Sequence, residues 1–181
     1  MKRIFSLILL MFVLFLSSPT IIFAESDYVL PYPSAMPGSI WYKIHLVQER
    51  LEQFWYFGSF GQFDYSLKEA DKYLVEAKTL FEYKQYLLAD VALKKSDTYF
   101  GKLSHYLDNA KRENKNISEK EKILKDAALK HLEILNMLKK ELPENFMWRP
   151  EKTSATSLTL LEDIEAAIKI RNMIGGMNGE Q

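Results

Sequence analysis

The feature that most constrains this chain is the return of apolar side chains every third or fourth residue along most of its length. Ile40, Ile44, Val47, Leu51 and Phe54 step in this way, with Ser39 placed as an N-cap. Leu67, Ala70, Leu74, Ala77 and Phe81 repeat the pattern, and so do Ala89, Leu93, Ser96, Phe100, Leu103, Leu107 and Ala110. A fourth stripe carries Leu124, Ala128, His131, Leu135, Leu138 and Leu142, and a fifth, from Ser157 to Ile174, carries Leu161, Ile164 and Ile168. Each stripe makes one side of an α-helix apolar, and that side must be buried against another. No run alternates with period two, and no Asn-Gly or Asp-Gly pair separates apolar runs. The pattern predicts an all-α bundle of about five helices, arranged as antiparallel hairpins.

Helix ends are signed to different degrees. Ser118-Glu119-Lys120-Glu121 reads as a capping box, with Ser118 as the cap, and Pro143 follows the last turn of the fourth helix. Gly175-Gly176 stops the fifth, since glycine accepts positive φ without penalty. Gly58-Ser59-Phe60-Gly61 and Tyr83-Lys84-Gln85 read as tight connections that make the first three helices antiparallel neighbours. The polar run 111–120 is a looser joint, and 143–157 is a long connection in which Phe146, Met147 and Trp148 fold back on the bundle. Residues 39–114 thus form a three-helix unit and 115–175 a helical hairpin, with 176–181 a disordered tail.

The N-terminus is read separately. Lys2 and Arg3 precede an apolar run from Ile4 to Leu16, then Ser17, Ser18 and Pro19, and a small residue at Ala24. This order is that of a signal peptide cleaved near Ala24. The other reading is a retained anchor, since 4–24 nearly spans ~30 Å of hydrocarbon. Either places the rest of the chain outside the cytoplasm, secreted or held at the membrane by this segment alone. Without Lys2 and Arg3 the 24 basic residues fall to 22 against 24 acidic ones, a balance that implies no basic face of the strength nucleic acid requires and so no nucleic-acid partner. The chain has no cysteine, so disulfides, a thiol nucleophile and a lipid-bearing cysteine are excluded.

Residues 25–38 form an extended arm. Pro31, Pro33 and Pro37 fix φ near −65° and hold each preceding residue extended. Such a strap has little freedom to lose on docking. Tyr28, Leu30, Tyr32 and Met36 then lie across apolar helix faces as a lid; the competing role is a peptide ligand or a spacer.

The residues 28–33, Met36-Pro37 and Trp41-Tyr42, followed by "LKEADKYLVEAKTLFEYKQYLLADVALKKSD", resemble the bacterial domain of unknown function DUF5667, and "KHLEILNMLKKELPEN" at 130–145 agrees with it. The resemblance covers roughly 27–145 and implies a secreted or membrane-anchored helical protein opening on a Pro-aromatic arm. Ser34 stands where the family usually has glycine. The resemblance implies no catalytic residues.

Residues 54–65 hold seven aromatics in twelve positions. Such rings fill a helical corner, or serve as a sugar platform or membrane-interface wedge. Trp41, Phe54, Trp55, Phe57, Phe60 and Phe63 are therefore the candidate binding patch. Ala70, Tyr73, Leu74, Ala77, Tyr86, Ala89 and Leu93 have the spacing of a tetratricopeptide-like hairpin, but only one unit is present where about three stack to form a groove. His45 and Glu49 share a helix side without a second ligand pair, and no calcium-type loop occurs. His131, set within an apolar stripe, reads as a hydrogen-bonded core histidine, and the serines lack elbow glycines. No metal, cofactor or catalytic set is expected. The sequence reads as a non-catalytic extracytoplasmic module that binds a protein or supports an envelope assembly. The alternative is a carrier holding an apolar molecule or peptide in a groove lined by the aromatic patch.

Overall fold

The computed structural model describes residues 28–33, 47, 51–52, 54–149 and 154–176. Among these, α1 spans Gly58–Glu82, α2 Tyr86–Phe100, α3 Leu103–Arg112, α4 Ser118–Glu141 and α5 Leu160–Ile174. Strands β1 (Phe146–Trp148) and β2 (Thr156–Leu158) pair antiparallel, with Met147 opposite Ser157. The fold is an all-α bundle with one small hairpin. Of the expected first helix Val47, Leu51 and Glu52 are described as helical, while Phe54, expected on the same stripe, lies in the turn that follows; Ser39, Trp41, His45 and Glu49 lie outside the described residues, as do 1–27.

Helices α1 and α2 form the most extensive pairing. Ala70, Ala77 and Ala89 are fully buried, and their small side chains bring the two backbones together. Lys84 closes the connection in the left-handed region at φ 58°, so the tight Tyr83-Lys84-Gln85 turn is made without glycine. At the end of α4, Leu142 is extended (φ −87°, ψ 146°), as a residue preceding proline must be, and the helix stops there.

Several expectations are corrected. Gly58–Gly61 is the first turn of α1 rather than a connection. A Cβ on Gly61 would lie 2.8 Å from the Tyr56 carbonyl carbon, so that glycine permits a close backbone approach inside a helix. The third stripe breaks at Gly101-Lys102 into α2 and α3, where the Lys102 N–H bonds the Tyr99 carbonyl in a tighter turn. The fifth helix begins at Leu160, because Thr156–Leu158 are taken by the hairpin. Of the three residues expected to fold back, Phe146 packs its ring 4.6 Å from Tyr86, while Met147 and Trp148 stay exposed. Ser118 is not the cap of α4: Ile117 holds that position, and Asn116 Oδ1 accepts from both the Ser118 N–H and its hydroxyl. An Asx turn one step earlier therefore does the work expected of the capping box.

The core has two parts. One joins Leu74, Leu80, Leu93, Leu135, Leu138, Leu160 and Ile164. The other joins Phe63, Leu67, Phe100, Leu103, Leu107 and Leu124. Between Ala70 and Leu74 on α1, Leu93 and Phe100 on α2, Ala128 and Ile134 on α4, and beyond Ala167 on α5 lies a single polar layer: Asp71, Ser96, Asp97, His131 and Arg171. A core split at matching depth on four helices is the architectural fact on which the rest depends.

Candidate functional site

Each member of the polar layer is set by its helix position and by a neighbour. Arg171 projects from the last turn of α5 and is fully buried. Its Nε donates to His131 Nδ1 at 3.4 Å, and its Nη2 donates to Ser96 Oγ at 2.8 Å. Its Nη1 donates to Asp97 Oδ1 and, at 3.3 Å, to the Ala167 carbonyl. Ser96 passes its own proton to the Ala70 carbonyl at 2.7 Å, which ties α2 to α1. The guanidinium lies over Phe100, 5.0 Å from the ring centroid.

Because Arg171 has only protons to give, His131 Nδ1 must accept, which leaves the imidazole proton on Nε2. That nitrogen lies 2.7 Å from Asp71 Oδ1 and donates to it. The other Asp71 oxygen accepts from the Tyr28 hydroxyl at 2.6 Å. One continuous set of hydrogen bonds, converging on Asp71 and issuing from Arg171, therefore links the arm, α1, α4, α5 and α2.

Electrostatics follow from burial. Removal from water pushes His131 down, and the Arg171 charge adds to this, against a partial pull upward from Asp71. The imidazole is neutral. Burial likewise pushes the Tyr28 phenol up, reinforced by Asp71, so Tyr28 remains a donor. Burial raises Asp97 more than Arg171 lowers it, while Arg171, lowered by burial, keeps its charge. Near this layer Lys94 holds Asp90 at 2.8 Å and Asp163 at 3.4 Å, and burial with the mutual repulsion of the two carboxylates raises Asp163.

The layer has the residue types of a charge-relay site and none of its accessibility. His131 is 0 % exposed and both its nitrogens are engaged, so no lone pair faces a substrate. Among the described residues no group of three or more acidic or histidine side chains is placed to hold a metal ion. None of their helices is long and apolar enough to cross a membrane.

The arm and the aromatic patch are placed differently from one another. Tyr28 packs against the second part of the core and Leu30 against the first, so 28–30 run across the bundle. Pro31 and Tyr32 wall an open groove of about 530 Å³ with Asp64, Leu67 and Lys68, although Tyr32 itself is 95 % exposed and Pro33 also faces solvent. Met36 and Pro37 lie outside the described residues. The expected patch divides: Phe63 is wholly buried core and Phe60 is half-buried under the Lys115 ammonium. Phe54, Trp55 and Phe57 are exposed. None of these five rings lines that groove.

Asp71, Asp97 and Arg171 escaped notice in the sequence, where each reads as one more charged residue of a helix. Their signal is positional: Ser96 and His131 interrupt apolar stripes, and Arg171 falls seven residues after Ile164 on the same side of α5. Compared with protein-family models, curated proteins and solved structures, the chain matches none.

Proposed function

We propose that the chain is a non-catalytic helical module of the cell envelope, working outside the cytoplasm by attachment to a protein or another envelope component. The observation that carries this reading is the complete structural use of the buried polar layer. His131, Asp71 and Arg171 are the groups best suited to acid–base work, and every one is spent on holding helices and arm together. The charge, apolar run and small-residue order of 1–24 supports an exported chain, released by cleavage near Ala24 or retained by 4–24. The resemblance of the arm and the following helices to DUF5667 supports the same class of protein. Crosslinking in intact cells followed by fractionation tests the reading. Recovery outside the cytoplasm in one recurrent complex is expected; a free cytoplasmic chain overturns it.

One observation favours a second reading, a carrier of an apolar molecule or peptide. The groove beneath the arm falls in the size range of small-ligand sites and brings Tyr28, Leu30 and Leu67 to its walls. Native mass spectrometry of the chain purified from its own cells discriminates: a co-purifying small mass favours the carrier, and its absence favours the envelope module.

A further inference from the structure

Before α1 the described residues Val47, Leu51 and Glu52 are helical, and Glu52 faces the bundle. Glu52 is 20 % exposed and accepts from Lys68 of α1 at 2.6 Å. The apolar stripe at Val47, Leu51 and Phe54 points away, with 60 %, 59 % and 71 % of these residues exposed. The stripe is continued by Trp55 at 76 % and Phe57 at 80 %, where the helix ends in a turn closed by bonds to the Leu51 and Glu52 carbonyls. An amphipathic helix in a globular domain normally buries its apolar side. Here the described apolar residues are the exposed ones, and from Gln53 to Phe63 the sequence holds no charged side chain to break the surface.

We propose that this outward apolar face is a membrane-docking surface, seated in the interfacial layer of a lipid bilayer. Three observations select lipid as the occupant. A Trp and Phe face on an amphipathic segment suits the headgroup–acyl boundary, where rings bury their bodies and keep polar edges wet. Cations flank it: Lys115, paired with Glu113 at 2.7 Å, lies over Phe60 with its ammonium 3.9 Å from where a Gly58 side chain would begin, and Lys111 and Arg112 are exposed in the last turn of α3, giving three cations to the one Glu113 carboxylate. The third is the sequence that precedes the arm: the apolar leader 4–24 ends four residues before Tyr28, a reach of roughly 13 Å, and Tyr28 is tied to Asp71 of α1. A leader held in a bilayer therefore keeps the bundle at the lipid surface. The inference rests on the envelope reading and names its component.

The test uses the full chain in vesicles of phosphatidylcholine and phosphatidylglycerol carrying brominated acyl chains, which quench tryptophan on contact. With W41F and W148F, Trp55 is the only tryptophan; with W41F and W55F, Trp148 is. Trp148 sits on β1, whose neighbour Leu158 belongs to the other part of the core, so it reports the far end. Trp55 is expected to lose most of its emission and shift to the blue, with Trp148 unaffected. In the Trp55 reporter, L51S with F57S is expected to abolish the quenching while helix content by circular dichroism and vesicle association through the leader persist. Trp55 left bright in vesicles, or both tryptophans quenched alike, overturns the proposal. A Trp55 protected in cells but not by lipid assigns the face to a protein, and leaves the envelope reading standing.

Discussion

Arg171 Nε donates to His131 Nδ1, and this one bond fixes which imidazole nitrogen carries the proton. The tautomer then decides that Nε2 can donate to Asp71, which in turn leaves the second Asp71 oxygen for the Tyr28 hydroxyl. A residue near the C-terminal end of the bundle thereby sets the chemistry that holds the N-terminal arm.

Tyr28→Phe removes the donor and little volume. Asp71 then keeps a buried oxygen without its Tyr28 partner, at a cost of about 1–3 kcal/mol. Urea unfolding is expected to show a lower midpoint with the slope unchanged. Amide exchange is expected to rise in 28–33 first, because the arm loses its polar tie while Leu30 still packs.

Arg171→Met strands Asp97, a carboxylate already disfavoured by burial, and opens the Nδ1 side of His131. Loss of one partner of a buried pair costs roughly 3–5 kcal/mol. Adding Asp97→Asn is expected to recover part of that loss, so the double variant is more stable than the sum of the singles; strict additivity would show the pair is not coupled.

The pH dependence follows from the same geometry. His131 has a lower pKa folded than unfolded, so below its ordinary 6.5 the unfolded chain takes up a proton that the folded chain refuses. Stability from this residue is present above about pH 6.5 and declines as pH falls from there towards the folded value. Asp71 and Arg171 hold its two nitrogens, with Asp97 and Tyr28 one bond further out; Asp97 and Asp163 are raised by burial and so act in the opposite sense. Midpoints measured from pH 8 to pH 5 are expected to fall, and His131→Gln, less stable throughout, is expected to flatten that slope.

Gly61→Ala tests a steric statement against helix propensity. Alanine improves an isolated helix by nearly ~1 kcal/mol, but its Cβ would stand 2.8 Å from the Tyr56 carbonyl carbon. The backbone contact is expected to win, with a net loss of about 1–3 kcal/mol by overpacking, read by chemical unfolding.

Helix identity was legible because apolar periodicity is local: Leu67 to Phe81 and Leu124 to Leu138 declare their buried sides within a few turns. What breaks or joins helices was less so. Gly101 ends one helix and Gly61 lies inside another, and the difference depends on a neighbour, Tyr56, that spacing does not reveal. The hairpin at Phe146 and Leu158 is set by three pairs across a long connection, too short a run for alternation to register. His131 was readable as a core histidine from its stripe, but its partners come from residues 40 and 60 positions away and are charged, a type that usually marks solvent. The exposure of Val47, Leu51 and Phe54 was hidden for a related reason: periodicity identifies an apolar side without saying whether protein or something else covers it.

The most direct measurement is the pair of 15N shifts and long-range proton couplings of the His131 imidazole in solution at pH 7. The account predicts a neutral ring with its proton on Nε2, in both the parent and Tyr28→Phe, and a change of tautomer or charge in Arg171→Met. A charged ring, or a proton on Nδ1 in the parent, would contradict it, since neither can accept from Arg171 and pass a proton to Asp71.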